Sequence, residues 1–472
     1  MPMPAAWGNI TVEEILAPTR GILLSGNLRQ VFSGLNTDSR RTASGDLFIA
    51  LIGDRFDGHN FALDAINRGA TGIVIRKDRA QGLSRVKGAA VIAVKDTLRA
   101  LGDLAAWWRR RHRVRLVAVT GSAGKTTTKE MISRILEIEG RTLASEGNFN
   151  NLIGLPLTLL RLETGHESAV LEMGMNRPGE IARLTEIADP DVGVITNVGM
   201  AHLEGLKDIK GVARAKTEMV ERVSPESRIL LNGDDKLLME AASRFGRAVT
   251  TFGFEENNDI RCTNVRDTGL AGVSCSVTYR GKSIDIRLRV PGHQNVSNAL
   301  AATAAALLLD TSPDHIVKGL EAFRGVPGRF TPIALPGGIT LVDDTYNANP
   351  SSLKAALKAV AALRNSGGRI LIALGEMMEL GDAAVPAHLE AGRMVAETAA
   401  AYLVAMGEHA PEMIKGALES GMGPNGAETA GTHEEMVDRL ISRIKPGDLI
   451  LVKGSRMMDL GRVVDDIRAR VP

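Results

Sequence analysis

The apolar run Leu116-Val117-Ala118-Val119 is followed at once by Thr120-Gly121-Ser122-Ala123-Gly124-Lys125-Thr126-Thr127. Apolar residues then recur at Met131, Ile132, Ile135, Leu136 and Ile138. That order reads as a buried strand, a glycine-rich turn and an amphipathic helix, and it constrains the fold more than any other part of the chain. Glycines let the backbone turn so that several N–H groups face inward. The helix N-terminus adds partial positive charge at the same point. Such a turn suits phosphate, with Lys125 placed to reach the β- and γ-phosphates of a nucleotide and the Thr126 hydroxyl placed to ligate Mg2+. The strict pattern wants a glycine five residues before Gly124, where this chain has Val119, so the loop is a shortened variant.

A loop of this kind belongs in a parallel sheet, and the following segment agrees. Apolar strands at 169–171, 192–195 and 228–231 alternate with helical patterns, which argues for helices on both faces of the sheet. Glu172 directly follows one of these runs, so it falls at a strand's C-terminal end, where ligands collect in such sheets. It is the first candidate for a metal carboxylate. Residues 272–290 alternate simply and predict antiparallel strands, and a helix is expected over 295–309. With 472 residues the chain is too long for one core, and a prior of roughly 100–200 residues per domain suggests about three.

The organisation expected is α/β throughout. A first domain, 1–113, carries short strands at 46–50, 72–75 and 90–94, with a helix at 61–68. A central P-loop domain with a parallel sheet, 114–330, ends in a Pro/Gly-rich stretch. A C-terminal Rossmann-like α/β domain, 331–472, carries strands at 340–342, 369–373, 402–405 and 449–452. The basic cluster at 107–113 reads as a solvated helix end at a domain boundary, and the glycine-rich stretch 421–431 as a surface loop. Net charge is +2 and aromatics are only 3%, so nucleic acid is not an expected partner. Cys262 and Cys275 match no zinc or redox spacing and read as reduced thiols. The longest apolar run, 299–309, is too short to span a bilayer, and residues 1–10 lack a signal-peptide pattern; a cytoplasmic location is expected.

Several stretches together resemble the Mur ligase family, whose members build the peptide stem of bacterial peptidoglycan. They are TGSAGKTTTKE at 120–130, GNFNNLIGLPLTLL at 147–160, EMGMNRPGEI at 172–181, TNVGMAHLEGL at 196–206 and AKTE at 215–218. PGHQNVSNALAA at 291–302, VPGRF at 326–330, LVDDTYNANPS at 341–351, LGEMMELG at 374–381 and VKGSR at 452–456 continue the series. TDSR at 37–40 and DRFDGHNF at 54–61 match near the N-terminus. The resemblance covers most of the chain in the right order and is far more specific than the P-loop alone.

It implies one domain for a UDP-sugar, one for ATP, and one that swings in to complete the site. The implied reaction joins D-alanyl-D-alanine to UDP-N-acetylmuramoyl-tripeptide at the expense of ATP. By the same resemblance, His202 helps to hold a second Mg2+ beside the one at Thr126 and Glu172, and Lys216 matches a lysine that relatives carry as a carbamate. Pairing of Lys216 with phosphate or Glu218 is the competing reading. Arg329 reaches the phosphates, Asp344 holds the ribose, and Asn295 and Asn298 lie where the base binds, with helix capping a competitor for Asn295. Asn148 and Asn151 orient phosphate or the substrate carboxylate, or make turns. Lys453 and Arg456 are candidates for the dipeptide carboxylate; Ser39, Arg40, Asp57, Gly58 and His59 for the UDP end. A monomer is expected. Other readings are the relative that adds the third stem residue, whose Asp-Asn-Pro-Arg motif is missing here, a folate polyglutamating relative, and a P-loop ATPase acting as a switch.

Overall fold

Alternation along the strand Arg115–Thr120 builds the middle of the molecule. Val117 and Val119 point to one face of the sheet and pack with Met131, Ile132, Ile135 and Leu136 of the helix Lys125–Leu136. Leu116 and Ala118 point to the other face and pack with Leu155, Ile181 and Met219 of three further helices. Ile138 falls beyond the helix and is exposed, because the helical repeat ends at Leu136. The structure, a computed structural model, describes residue 7 and residues 10–471, apart from 54, 84, 85, 87 and 365–367. Asp54 of the DRFDGHNF stretch, and most of residues 1–9, lie outside the described residues.

Three large sheets organise the chain, as the α/β reading expects. The first has five strands, in the order Ile22–Ser25, Ala90–Val94, Gly72–Arg76, Asp46–Ile49, Gly34–Asn36, parallel except at the first pair. The second has nine. Its parallel part runs from Thr142–Ala144 through Ser168–Glu172, Arg115–Thr120, Val192–Ile195, Arg228–Asn232 and Thr250–Gly253 to Ile260–Asp267. Val273–Tyr279 and Lys282–Leu288 extend it antiparallel, as their alternation predicts. The third has six strands, with Thr340–Asp344, Leu449–Lys453, Ile370–Gly375 and Tyr402–Met406 parallel in that order. Thr120, Glu172 and Ile195 thus share one edge of the second sheet, and Asp344, Lys453 and Gly375 one edge of the third.

Two expectations change. The stretch 421–431 is not only a loop: Ala427–Ala430 is a parallel edge strand beside Tyr402–Met406. Its sequence, Ala-Glu-Thr-Ala, carries too little apolar contrast to reveal a strand. The basic cluster at 107–113 is not simply solvated. Trp108 is buried and donates its indole N–H to the Leu162 carbonyl at 3.1 Å, and Trp7 does the same to Leu160 at 3.1 Å. Arg109 turns its guanidinium inward onto the carbonyls of Ala188, His112 and Val114. The helix Thr97–Arg110 is therefore a joint, and its apolar side belongs to the same core as the strand Arg115–Thr120. No described helix is long and apolar enough to cross a membrane.

Trp108→Ala removes a buried ring and leaves the Leu162 carbonyl unpaired, so it should cost about 3–5 kcal/mol. Trp108→Phe should cost less. Urea unfolding of the full chain measures both, and an alanine variant as stable as the parent would contradict the joint.

Candidate active site

The turn after Arg115–Thr120 is shaped by what its glycines exclude. Gly121 has φ +152, and a Cβ there would sit 1.9 Å from the Thr196 hydroxyl; Gly124 has φ +80, and its Cβ would sit 2.3 Å from Asn298 Oδ1. Neighbouring segments hold the rest. The Asn197 side chain accepts from Ala123 N–H at 2.9 Å and donates to the Ala123 carbonyl at 3.0 Å, while Thr196 donates to that carbonyl at 2.6 Å. Ser122 Oγ donates to the Gly199 carbonyl at 3.0 Å, and Thr120 Oγ1 to Met173 at 2.9 Å. Gly124 N-caps the helix, and the Lys125 ammonium folds over the loop to the Gly121 carbonyl at 2.7 Å. Burial pulls Lys125 below the ordinary lysine range; Glu172 opposes this and Arg329 adds to it.

A cavity of about 650 Å³ opens above this turn, bounded by both the second and third sheets. Thr126 stands at its centre. Its hydroxyl donates to Glu172 Oε2 at 2.8 Å and accepts from Arg329 Nη2 at 3.0 Å. Glu172 is buried, and its other oxygen accepts from Asn150 at 2.8 Å. Arg329 lies over the Tyr346 ring at 3.9 Å, and its Nε is buried with no partner in the protein. Two hard oxygens beside a phosphate turn fit one Mg2+, which keeps few protein ligands and fills its shell with water and phosphate oxygens. The unpaired Arg329 donor suits an oxyanion.

His202 also lines the cavity, at φ +56, and shares a 2.5 Å hydrogen bond through Nδ1 with Glu379. Lys216 is buried on the helix Ile209–Arg222 and held well below the ordinary lysine range, first by desolvation and then by Lys125. It is not paired with Glu218. That carboxylate accepts from Gly179 N–H at 2.8 Å and Ala182 N–H at 3.0 Å, at the start of the helix Glu180–Ala188. A lysine made less basic by burial presents more of the neutral amine, the form that reacts with CO2.

Asn295 and Asn298 are buried in the cavity wall. Asn295 is not the helix cap. Gly292 holds that position, and Asn295 Nδ2 donates to the Pro291 carbonyl at 2.8 Å. Asn148 and Asn151 line the cavity, and Asn151 makes turn bonds to the N–H groups of Ile153 and Gly154 at 3.1 and 2.8 Å. Asp344 and Lys453, expected to serve different ligands, bind one another: the ammonium donates to Asp344 Oδ2 at 2.7 Å and to the Asn347 carbonyl at 2.9 Å. Burial pushes the Asp344 carboxyl up and Lys453 opposes it. Lys453 is 2% exposed, so its cation props Asp344 rather than standing free for a carboxylate. Arg456 is exposed, 5.8 Å from the Tyr346 ring.

The first-sheet candidates lie outside this cavity. His59 uses both ring nitrogens internally, with Asp57 at 2.6 Å and Arg76 N–H at 3.0 Å, and Gly58 packs on the Leu51 backbone. Arg40 pairs with Asp38, and Ser39 is buried. Asn150, Asn197, Tyr346 and Glu379 escaped the sequence reading although each lies inside a motif singled out there. Their partners are distant in sequence, so spacing carries no sign of them.

Family profiles match three segments: "Mur ligase family, catalytic domain" over 31–109, "Mur ligase middle domain" over 119–306, and "Mur ligase, glutamate ligase domain" over 328–456. The chain is 34% identical to a UDP-N-acetylmuramoyl-tripeptide–D-alanyl-D-alanine ligase of Bacillus subtilis, over 97% of this chain and 98% of that one. Among solved structures it is similar to MurF from Acinetobacter baumannii, with TM-score 0.89, 32% identity and 100% of both chains covered. It is similar also to MurF ligase from Thermotoga maritima in complex with ADP, with TM-score 0.81, 28% identity, and 93% and 97% covered. The chain belongs to the Mur ligase family.

Proposed function

We propose that this chain is the ATP-dependent ligase that joins D-alanyl-D-alanine to UDP-N-acetylmuramoyl-tripeptide, in the synthesis of peptidoglycan precursors. One observation carries the reading: a phosphate turn, the buried carboxylate of Glu172 and the guanidinium of Arg329 meet at the Thr126 hydroxyl, in a chain similar along its whole length to ligases of that name. We read it as a cytoplasmic monomer of three domains, 1–113, 114–330 and 331–472.

The difficulty of the reaction is electrostatic. A carboxylate repels an attacking amine. Transfer of the γ-phosphoryl group of ATP to the tripeptide's terminal carboxylate gives an acyl phosphate and ADP. The free amine of the dipeptide then attacks the acyl carbon, and the tetrahedral intermediate loses a proton and expels inorganic phosphate as the amide forms. Two anions must meet first, so cations at the meeting point lower the barrier. In this reading Lys125 and the turn's N–H groups hold the β- and γ-phosphates, and Arg329 binds the transferring group through its fork. Asn148 and Asn151 face the acceptor carboxylate. Asn295 and Asn298 take the base, and Asp344, propped by Lys453, takes the ribose. Arg456 is the cation left for the dipeptide carboxylate, and the region of Ser39, Arg40 and Asp57 to His59 takes the UDP end. Bound Mg2+ would supply charge neutralisation, one ion held by Thr126 and Glu172 and a second by His202 and a carbamate on Lys216.

A switch ATPase would hydrolyse ATP alone, whereas a ligase releases phosphate only with both acceptors present. Mass spectrometry with UDP-N-acetylmuramoyl-tripeptide, ATP and Mg2+ should show efficient product with D-alanyl-D-alanine and little with single amino acids. Oxygen-18 in the tripeptide carboxylate should appear in the released phosphate; its absence would remove the acyl phosphate. Lys125→Ala should lower kcat by at least about 10²-fold with the fold unchanged by circular dichroism. Incubation with 13C-bicarbonate should give a carbamate carbon resonance that Lys216→Ala lacks. Identical spectra for the two proteins would leave Lys216 unmodified.

A further inference from the structure

The LGEMMELG stretch at 374–381 supplies Glu379, which none of the roles above uses. Its carboxylate sits 2.5 Å from His202 Nδ1, across 177 residues of sequence and between the second and third sheets. Three further contacts fix the approach. The Glu379 carbonyl accepts from Glu204 N–H at 3.3 Å. Gly381 faces Glu204, and a Cβ there would sit 3.5 Å from Glu204 Cα. Leu203 packs against the cores of both units. On its own side Glu379 is presented firmly: Met377 N–H donates to His388 at 2.9 Å, Met378 N–H to Ser455 Oγ at 2.8 Å, and Leu380 is buried. Both members of the pair hold left-handed backbones without being glycine, His202 at φ +56 and Glu379 at φ +63. Such conformations are disfavoured for side-chain-bearing residues and persist where surrounding structure enforces them.

A carboxylate can only accept. Nδ1 must therefore carry the proton of the bond, which leaves the lone pair of the neutral ring on Nε2. His202 lines the cavity, whereas Glu379 does not. We propose that Glu379 is a positioning residue: delivered by the third α/β unit, it fixes the tautomer and orientation of His202 so that Nε2 serves the phosphate cavity. The histidine is then correctly set only when the third unit is docked, which ties assembly of the site to closure. This rests on the ligase reading for its consequence in catalysis, but not for the state of the ring.

The test uses the full chain labelled with 15N-histidine, with His202→Ala to identify the resonances. The parent should show His202 as the Nδ1-protonated tautomer, and Glu379→Ala should lose that single form. In turnover, Glu379→Ala should raise the Mg2+ concentration for half-maximal rate about tenfold or more, the usual effect of removing a histidine's carboxylate support. Glu379→Gln, which keeps a carbonyl acceptor, should recover most of it. On a His202→Ala background Glu379→Ala should add nothing. An Nε2-protonated His202 in the parent, an unchanged ring in Glu379→Ala, or additive losses would overturn the proposal. A parent that makes no amide, with the tautomer still set by Glu379, would instead overturn the ligase reading and leave the positioning standing.

Discussion

The Thr126 hydroxyl gives one hydrogen bond to Glu172 and takes one from Arg329, and the site is organised around that point. A hydroxyl has one proton and two lone pairs, so it can link a carboxylate to a guanidinium and still offer a lone pair. The three residues come from the helix after the turn, the end of the neighbouring strand and the segment leading into the third sheet. Each is where it is for a backbone reason. Thr126 is the second residue of a helix that a left-handed glycine starts. Glu172 is the last residue of the parallel strand Ser168–Glu172, so its side chain emerges at the ligand edge. Arg329 follows Gly328, whose φ of +71 lets the chain turn back against Tyr346.

The same logic links the two α/β units. Their strands end facing one another, and the cavity lies in the gap. Polar contacts across it, among the described residues, include Tyr346 to the Gly147 carbonyl at 3.3 Å, Arg329 to Thr126, Glu204 N–H to the Glu379 carbonyl at 3.3 Å, and His202 to Glu379. Leu203 packs against the apolar cores on both sides. Interfaces of this kind allow relative motion. The first and second sheets behave differently. There the helix Thr97–Arg110, two tryptophans and the inward-turned Arg109 join one continuous core. The third unit's buried apolar residues form clusters separate from that core.

How far the sequence discloses this depends on the range of each interaction. The phosphate turn, the apolar run Leu116 to Val119 and Glu172 at a strand end are local patterns, and all were legible; which of the four apolar residues faces which layer was not. Ala427–Ala430 was not, since an edge strand packed on one side needs few apolar residues. Asp344 and Lys453 were legible as chemically important types but not as a pair, because the parallel register that sets them opposite one another joins residues 109 apart. Glu218 read as a partner for Lys216 on proximity alone, yet two residues along a helix point in different directions. Its carboxylate reaches the next helix's N-terminus instead. Cross-sheet pairs such as His202 with Glu379 leave no periodic trace at all.

The charges around the cavity show why such pairs have to be exact in geometry. Lys125 and Lys216 are both buried, and each is pulled below the ordinary lysine range by lost hydration. Lys125 adds to the effect at Lys216, and Arg329 adds to it at Lys125. Burial therefore strips hydration from both lysines, and Glu172 opposes the effect at Lys125. A triphosphate entering this space meets cations already stripped of water, where low-dielectric electrostatics acts most strongly. In the carbamylated form proposed above, Lys216 would change from a poorly basic amine to an anion beside Lys125. The change would create the hard oxygen ligands that a second ion needs. The carbamate and a bound metal would then favour one another, since each would remove an electrostatic penalty that the other would face alone.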